Sequence, residues 1–291
     1  MKKIIVTGAA GFIGSHMVDL LLAYNFKVVG IDNLIGGKKS NLKNALKKKN
    51  FIFLKLDINK INKNHKDLAN SDCIFHFAGL GDIVPSIENP MDYVKVNVNG
   101  TINILETCKT FNIPKFIYAA SSSCYGKSNK KVSEKEAIQL EHPYSFSKYL
   151  GELSVFHWSK FYNIKVASIR IFNAYGLRSR TSGNYGAVIG VFMKQIISKK
   201  KLTVVGNGNQ KRDFINVQDL VNAFFLVYKK NKFGHIFNVG SGKPVSINSL
   251  VKILDKKYEN IPKRPGEPDV THADIRKIQQ LTGWRPKILF K

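Results

Sequence analysis

Cysteine is scarce in this 291-residue chain, and the few that occur exclude a disulfide-stapled fold. There are three, Cys73, Cys108 and Cys124, an odd number at wide spacings. Such a set is typical of reduced thiols and lacks the paired clusters of a zinc site. We therefore predict that the protein binds no metal and works in a reducing compartment.

Long hydrophobic runs are also missing. A helix that spans a membrane needs about 20 predominantly apolar residues in succession, and no run in this sequence approaches that length. The apolar stretch 4–6 near the N-terminus is too short for a secretory signal peptide. The sequence thus predicts a cytoplasmic protein that does not interact with a membrane.

Acidic residues are few, because 20 Asp and Glu stand against 46 Lys and Arg and leave a formal net charge of +26. A basic excess can indicate a nucleic acid, an anionic membrane or an acidic substrate. However, 39 of these basic residues are Lys and seven are Arg, whereas surfaces that bind phosphate usually recruit Arg as well as Lys. We interpret most of the lysines as solvated surface residues and do not expect a nucleic-acid partner.

The sequence does contain a series of short apolar runs separated by helix-compatible stretches. Its length allows one large or two modest domains with a substantial core. Runs that are apolar on both faces are typical of parallel strands joined by right-handed helical crossovers, so the first half predicts a doubly wound α/β fold. The runs occupy residues 4–6, 27–31, 51–54, 73–77, 115–119 and 166–172.

A glycine-rich segment with Gly8, Gly11 and Gly14 follows the first run. Glycine permits the tight turn and the close approach of backbone N–H groups to a diphosphate, and the N-terminus of the following helix attracts the anion. Asp32 ends the second run. A carboxylate there can accept hydrogen bonds from the adenosine ribose and would repel a 2′-phosphate, which favours NAD over NADP.

The remaining segments divide the chain into two parts. We predict an NAD-binding domain of the Rossmann type over residues 1–172 and a smaller α/β substrate-binding lobe over residues 173–291. Strands are expected at 202–205 and 236–239 and helices at 220–229 and 247–256. Segments near 206–240 are expected to return to the first domain.

Tyr144 and Lys148 stand at i and i+4, which places both side chains on one face of a predicted helix. A phenol with a pKa near 10 is a poor base at neutral pH. A nearby cation stabilises the phenolate, so we expect Lys148 to lower the pKa of Tyr144 toward the working range. A serine-rich segment that begins at Ser121 lies upstream.

Together these motifs resemble the extended short-chain dehydrogenases/reductases, and most closely the NAD-dependent nucleotide-sugar epimerases and dehydratases. The spacing of Gly8, Gly11 and Gly14 and the Ser–Tyr–Lys combination carry the resemblance, which extends from residue 2 to about residue 286. It implies that Ser121, Tyr144 and Lys148 are catalytic. The cofactor-binding residues that it implies are Gly8, Gly11, Phe12, Ile13, Gly14, Asp32, Asn33, Asp57, Ile58, Phe77, Ala78, Gly79, Asn97, Tyr144 and Lys148.

The resemblance also implies a reaction. Tyr144 removes the proton of the sugar 4-hydroxyl as a hydride passes from C4 to NAD⁺, while Lys148 holds the nicotinamide ribose. In the 4,6-dehydratases of this family an Asp-Glu pair follows the catalytic Thr, whereas this chain has Ser122 and Ser123. The absence of a carboxylate at those positions favours C4 epimerisation of a UDP-hexose over dehydration.

The residues implied for the substrate come mostly from the second half. Arg212 and Arg264 match two arginines that bind the diphosphate, and Thr271 matches a gate beside the sugar C2 substituent. A small gate residue leaves room for an N-acetyl group, so we expect the N-acetylated pair to be accepted beside UDP-glucose and UDP-galactose. The full set is Gly81, Ser86, Ser121, Ser122, Ser123, Tyr144, Asn173, Ala187, Val188, Val204, Arg212, Arg264 and Thr271.

Two alternatives remain at this stage. The first is another 4-keto chemistry, such as decarboxylation of UDP-glucuronate, 5-epimerisation or 4-ketoreduction; decarboxylation would need a cationic contact near residues 80–86, which hold none. The second is an RNA-binding protein with a vestigial dinucleotide site, which would not need a tuned phenol. The resemblance further implies a homodimer formed through helices around 92–110 and 144–162.

Overall fold

The computed structural model describes residues 1–179, 188–262 and 268–288. The described residues form thirteen strands and nine α-helices. The strands are β1 (Lys3–Thr7), β2 (Lys27–Asp32), β3 (Phe51–Lys55), β4 (Cys73–His76), β5 (Lys115–Ser121), β6 (Lys165–Ile171), β7 (Asn173–Tyr175), β8 (Leu202–Val205), β9 (Lys211–Arg212), β10 (Phe214–Asn216), β11 (His235–Val239), β12 (Val245–Ser246) and β13 (Tyr258–Ile261). The helices are α1 (Phe12–Ala23), α2 (Ile83–Glu88), α3 (Pro90–Tyr93), α4 (Gly100–Thr110), α5 (Pro143–Tyr162), α6 (Val188–Ile197), α7 (Val217–Lys229), α8 (Ile247–Leu254) and α9 (Arg276–Thr282).

Seven strands form one parallel sheet in the order β11-β6-β5-β4-β1-β2-β3. The strand order reverses beside β1, because β2 lies on one side of it and β4 on the other. Ligands of doubly wound sheets bind outside the carboxyl ends of the strands at such a reversal. The sheet confirms the predicted doubly wound α/β fold and locates the region in which to look for a site.

Both faces of the sheet are buried, which explains why its strands read as nearly continuous apolar runs. On one face Met17 of α1 and Phe224 of α7 are fully buried against the strands. On the other face Leu105 of α4 and Val155 of α5 are fully buried in a second core. Successive strand residues alternate between these two cores, as the pleat requires.

The second half of the chain forms a smaller lobe with its own core. Three two-stranded sheets, β10-β7, β12-β9 and β13-β8, lie there. Phe192, Leu202 and Leu250 pack together in a third core that is separate from the two cores of the large sheet. No helix among the described residues is long and apolar enough to cross a membrane.

Strand β11 extends the large sheet after much of the second lobe. It pairs with β6 in parallel, from His235 opposite Ala167 to Val239 opposite Ile171. Segments 202–205 and 247–254 form the strand β8 and the helix α8. The division of the chain into two functional domains at residue 172 stays a prediction.

Candidate active site

The glycine-rich turn between β1 and α1 leaves room only for backbone. Gly8 has φ of +65°, and a Cβ atom there would lie 2.7 Å from the backbone N of Ala78. A Cβ at Gly14 would overlap the carbonyl oxygen of Gly8. Gly11 is the N-cap of α1, so the free N–H groups of the first turn begin at this turn. This cradle fits the diphosphate of a dinucleotide, because the anion can approach the backbone where side chains would block it.

Two carboxylates lie at the neighbouring strand ends. Asp32 ends β2 and accepts hydrogen bonds from the backbone N–H groups of Ala10 at 2.9 Å and Leu34 at 2.8 Å. Asp57 accepts from Asn33 and Asn59. Burial alone would raise the pKa of Asp57, but the bonds from Asn59, the bond from Asn33 and the charge of Lys60 outweigh it and lower that pKa. Both groups are therefore fixed acceptors that suit ribose and adenine.

His76 lies next to the start of the glycine-rich turn and precedes the predicted cofactor residues Phe77, Ala78 and Gly79, but was not itself predicted as a site residue. Its Nδ1 is 2.7 Å from the Thr7 hydroxyl and its Nε2 is 3.1 Å from the Thr101 hydroxyl. The Thr101 hydroxyl donates its hydrogen to the carbonyl of Asn97, so the Thr101 oxygen accepts from the Nε2–H group of a neutral His76 ring. Burial, with a smaller contribution from Lys148, lowers the pKa of His76 to about 3. The imidazole is thus a neutral bridge that joins β1, β4 and α4.

Asn97 does not line the cavity that holds the other predicted cofactor residues. It lies in a π-helical turn, Val94–Asn99, and its side chain is fully buried. Its amide group accepts from the N–H of Leu80 at 2.8 Å, donates to the Leu80 carbonyl at 3.0 Å and donates to Ser147 at 3.0 Å. Both polar atoms of the Asn97 side chain are therefore used in hydrogen bonds that hold the loop at Leu80 next to Ser147 of α5.

Tyr144 stands in the first turn of α5, where its phenol hydrogen-bonds to Ser121 and Ser123. The two serine hydroxyls also hydrogen-bond to each other. Burial raises the pKa of Tyr144, and the bonds from the two serines oppose that rise. The expectation that Lys148 lowers this pKa below its ordinary value is not met, because desolvation of the phenol is the larger effect.

Lys148 is buried, with 8% of the residue exposed, and its ammonium faces the ring of Tyr118 with 4.3 Å from Nζ to the ring centroid. Burial lowers the pKa of Lys148 to about 7, while the carboxylate of Glu152 acts in the opposite sense. Glu152 in turn accepts from Arg170 at 2.6 Å and from Ser168 at 2.7 Å. A buried ion pair therefore supports the cation that lies one helical turn from Tyr144.

The predicted sugar-side residues divide into two groups. Gly81, Ser122 and Ser123 line the cavity together with Ser121 and Tyr144. Ser86 does not, because its hydroxyl donates to the Ile83 carbonyl and accepts from the Tyr144 N–H at 3.1 Å. The residues that line the cavity without having been predicted include three with polar side chains, Asp82, Glu141 and His142.

Asn173, Val188, Arg212 and Thr271 line the same cavity, as predicted. The Thr271 hydroxyl donates to Asn173 Oδ1 at 2.9 Å and accepts from the Asp213 N–H at 2.9 Å. The side-chain amide of Asn173 is thereby oriented with its oxygen toward Thr271. No described residue accepts a hydrogen bond from its NH₂ group, which can therefore serve a ligand.

The prediction for the side chain of Val204 is wrong. Strand β8 alternates, and Val204 is fully buried in the core of the second lobe, whereas Thr203 and Val205 line the cavity. A shift of one residue along a strand moves a side chain to the other face, and the run Leu202–Val205 offers no polar alternation that specifies the faces. Arg264 and Ala187 lie outside the described residues.

One continuous cavity of about 630 Å³ joins these regions, from Gly8 and Asp32 through Tyr144 and Lys148 to Arg212. The glycine-rich loop, which fits a dinucleotide diphosphate, and the partly buried cluster of Ser121, Tyr144 and Lys148 line the same cavity. This combination defines a dinucleotide-dependent enzyme, in which a bound substrate would meet the cofactor and a proton-transfer group together.

The chain belongs to the NAD dependent epimerase/dehydratase family, which it matches over residues 4–240. A Methanocaldococcus jannaschii protein provisionally named UDP-glucose 4-epimerase is 36% identical over 297 residues, covering 99% of this chain and 94% of the relative. This membership confirms the predicted family, NAD as the cofactor and an NAD-dependent epimerase as the class of enzyme.

Two solved structures have the same fold. A UDP-N-acetylglucosamine 4-epimerase from Methanobrevibacter ruminantium M1, in complex with UDP-N-acetylmuramic acid, superposes with a TM-score of 0.93 at 32% identity and covers 98% of this chain and 93% of its own. A UDP-glucuronic acid 4-epimerase from Bacillus cereus, in complex with UDP-glucuronic acid and NAD, has a TM-score of 0.90 at 33% identity, with 99% and 95% covered. The relatives share a 4-epimerase name and differ in the sugar.

Proposed function

We propose that this protein epimerises a UDP-hexose at C4, with NAD as its resident cofactor. The observation that carries the proposal is the single cavity that joins the glycine-rich cradle to Tyr144 and to Arg212. A nucleotide sugar that lies along this cavity, with its diphosphate near Arg212, would bring its hexose to Tyr144. The 4-epimerase names of the relatives support the same reaction.

Tyr144 takes the proton of the 4-hydroxyl, and the hydroxyls of Ser121 and Ser123, which interact with the phenol, are placed to hydrogen-bond the same 4-oxygen. NAD, when bound in the cradle of Gly8, Gly11 and Gly14, would supply reversible hydride transfer at C4, and epimerisation requires that C4 lose and regain hydrogen on opposite faces of the sugar. The phenol then donates its proton back to the 4-oxygen. Because burial raises the pKa of Tyr144, the return of the proton is favoured, and the hydroxyls of Ser121 and Ser123, which oppose that rise, assist the first removal.

Two features favour epimerisation over dehydration. Residues 122 and 123 are serines, so the positions after Ser121 provide hydroxyl groups and no carboxylate that could assist the loss of water across C5–C6. Tyr144 contacts the hydroxyls of Ser121 and Ser123, which suits one proton moving to and from one oxygen. The proposed product therefore keeps its 6-hydroxyl.

The hexose is proposed to be uncharged. Asp82 and Glu141 both line the sugar end of the cavity, and a carboxylate at C6 of a uronic acid would be repelled by two acids. Thr271 is small, and its hydroxyl is engaged with Asn173, which supports acceptance of an N-acetyl group at C2. We propose that the glucose and N-acetylglucosamine series are both substrates.

We also propose a homodimer. Helix α5 carries exposed apolar side chains on one stripe, Phe146 at 44%, Leu153 at 48% and Phe161 at 67% exposure. An apolar stripe on a long surface helix is typical of a subunit interface. Leu153→Glu should convert the protein to monomers on size-exclusion chromatography with light scattering, whereas Lys160→Glu on the same helix should leave the dimer intact.

The test of the reaction is to incubate the NAD-loaded protein with UDP-glucose and separately with UDP-N-acetylglucosamine, and to follow the anomeric protons by NMR. We expect the galacto epimer to appear with both. Tyr144→Phe should retain NAD and produce no epimer. Formation of a pentose nucleotide from UDP-glucuronate, or of a 4-keto-6-deoxy sugar from UDP-glucose, would replace the proposed reaction by decarboxylation or dehydration.

A further inference from the structure

His142 occupies the N-cap of α5, two residues before Tyr144. Its Nδ1 accepts a hydrogen bond from the N–H of Ser145 at 3.1 Å, and the Ser145 hydroxyl receives the N–H of His142 at 3.3 Å. Serine, threonine, asparagine and aspartate are the usual residues at this position, because a short side chain reaches the first turn. A histidine is larger than the cap requires, so most of the ring must serve something else.

The imidazole lies beside the phenol. The rings of His142 and Tyr144 are parallel, with an interplanar angle of 1° and 5.8 Å between centroids. His142 lines the cavity with Ser123 and Glu141, although only 8% of the residue is exposed. The ring is therefore held on two sides, by the helix and by Tyr144, and meets the cavity at the sugar end.

The protonation of the ring follows from its contacts. Burial lowers the pKa of His142, against an opposite influence of Glu141, so the imidazole is neutral at neutral pH. Nδ1 acts as the acceptor for Ser145, and a neutral imidazole with an accepting Nδ1 carries its hydrogen on Nε2. Among the described residues none accepts a hydrogen bond from this Nε2–H group.

We propose that His142 is a substrate-positioning residue, whose Nε2–H donates to a hydroxyl of the hexose next to C4. The proposal rests on the C4-epimerase function, because it assumes that C4 lies at Tyr144. A donor two residues away on the same rigid helix turn fixes the sugar relative to the phenol. It also gives the site a neutral donor beside the carboxylates of Asp82 and Glu141, which suits a hydroxyl group.

The experiment distinguishes the role of His142 as the N-cap of α5 from its proposed contact with the hexose. Asparagine is a good N-cap but is too short to reach the cavity, so His142→Asn should leave the melting temperature close to that of the parent protein. The binding of UDP-glucose is measured by calorimetry on NAD-loaded Tyr144→Phe protein, with and without His142→Asn. We expect the Kd to rise about 3- to 10-fold, the range of one neutral hydrogen bond.

UDP alone is the matched ligand, because it lacks the hexose. Its Kd should not change with His142→Asn. Equal Kd values for UDP-glucose in the two proteins, or an equal weakening of UDP and UDP-glucose, would overturn the positioning role. If UDP-glucose binds with the expected difference but the parent enzyme gives no epimer, the reaction is wrong and the His142 contact stands. If UDP-glucose does not bind at all, both proposals fail.

Discussion

Replacement of Glu152 by Gln should destabilise the protein strongly, although the two side chains have nearly the same shape. Glu152 and Arg170 have side chains only 3% exposed, and the carboxylate accepts from the guanidinium at 2.6 Å. Removal of one partner of a buried pair leaves an uncompensated charge, which costs about 3–5 kcal/mol. We therefore expect Glu152→Gln to lower the free energy of unfolding by about that amount.

For a protein of this size, each kcal/mol shifts the melting temperature by about 2–3 °C, so a fall of roughly 6–15 °C is expected. The assay is thermal and urea unfolding followed by circular dichroism. A double variant, Glu152→Leu with Arg170→Met, removes both charges and should lose much less, because apolar residues of similar volume often replace a buried pair without loss. A single variant within 1 kcal/mol of the parent, or a double variant as unstable as the single, would refute this reasoning.

The same substitution has a second, independent effect. The carboxylate of Glu152 raises the pKa of Lys148 against the larger lowering caused by burial. With Gln at position 152, the Lys148 ammonium should lose its proton at a lower pH than it does in the parent. The limb of the pH–rate profile that reports Lys148 should therefore move toward acid. An unchanged profile in a folded Glu152→Gln protein would show that the carboxylate does not act on Lys148.

Three further predictions follow from buried or strained positions. Burial holds the pKa of Lys148 at about 7 in the folded protein, whereas the unfolded chain keeps that proton up to about pH 10. The buried ammonium therefore destabilises the folded state fully below the folded pKa, and less as pH rises through it. Lys148→Met should be inactive but should melt at a higher temperature than the parent near pH 6.5, with a smaller gain near pH 9.5; an equal gain at both pH values would contradict the lowered pKa. Gly8→Ala should abolish retention of NAD, measured as nicotinamide released on denaturation, because φ is +65° and the added Cβ would meet the backbone of Ala78; stoichiometric NAD in the variant would disprove the close approach. Thr271→Val should raise the KM for the UDP-sugar, because Asn173 loses its hydrogen bond, whereas Thr271→Ser should keep the KM of the parent. Equal KM values for the Val and Ser variants would show that the Thr271 hydroxyl does not orient Asn173 for the substrate.

The parts of the fold and site that could be predicted are those with a local physical signature. The parallel sheet is indicated by runs that are apolar on both faces, and the cradle by Gly8, where only a residue without a side chain fits. Tyr144 and Lys148 are detectable because one helical turn separates them in sequence and in space. Each of these signals lies within a single element or a single turn.

The parts that could not be predicted depend on contacts between distant segments. His142 and Glu141 precede the predicted Tyr144 by two and three residues, but their own side chains carry no pattern that shows whether they face the cavity or solvent, and only the packing of the folded chain places them at the cavity. Asn97 does not line the cavity, because its side chain is buried in hydrogen bonds with the backbone of Leu80 and with Ser147. The resemblance implied a substrate contact for Val204, but which residues of the short strand Leu202–Val205 face the core depends on its partners in the fold, and Val204 lies in the core.

The late position of β11 in the sequence affects how the large sheet folds during translation. During synthesis β6 emerges well before His235–Val239, so its outer edge has no strand beside it until most of the second lobe has left the ribosome. An unpaired edge strand is a template for pairing with other chains. Fragments that end before His235 should therefore aggregate rather than persist as a free nucleotide-binding domain, and chaperone demand during translation should fall sharply once β11 has docked.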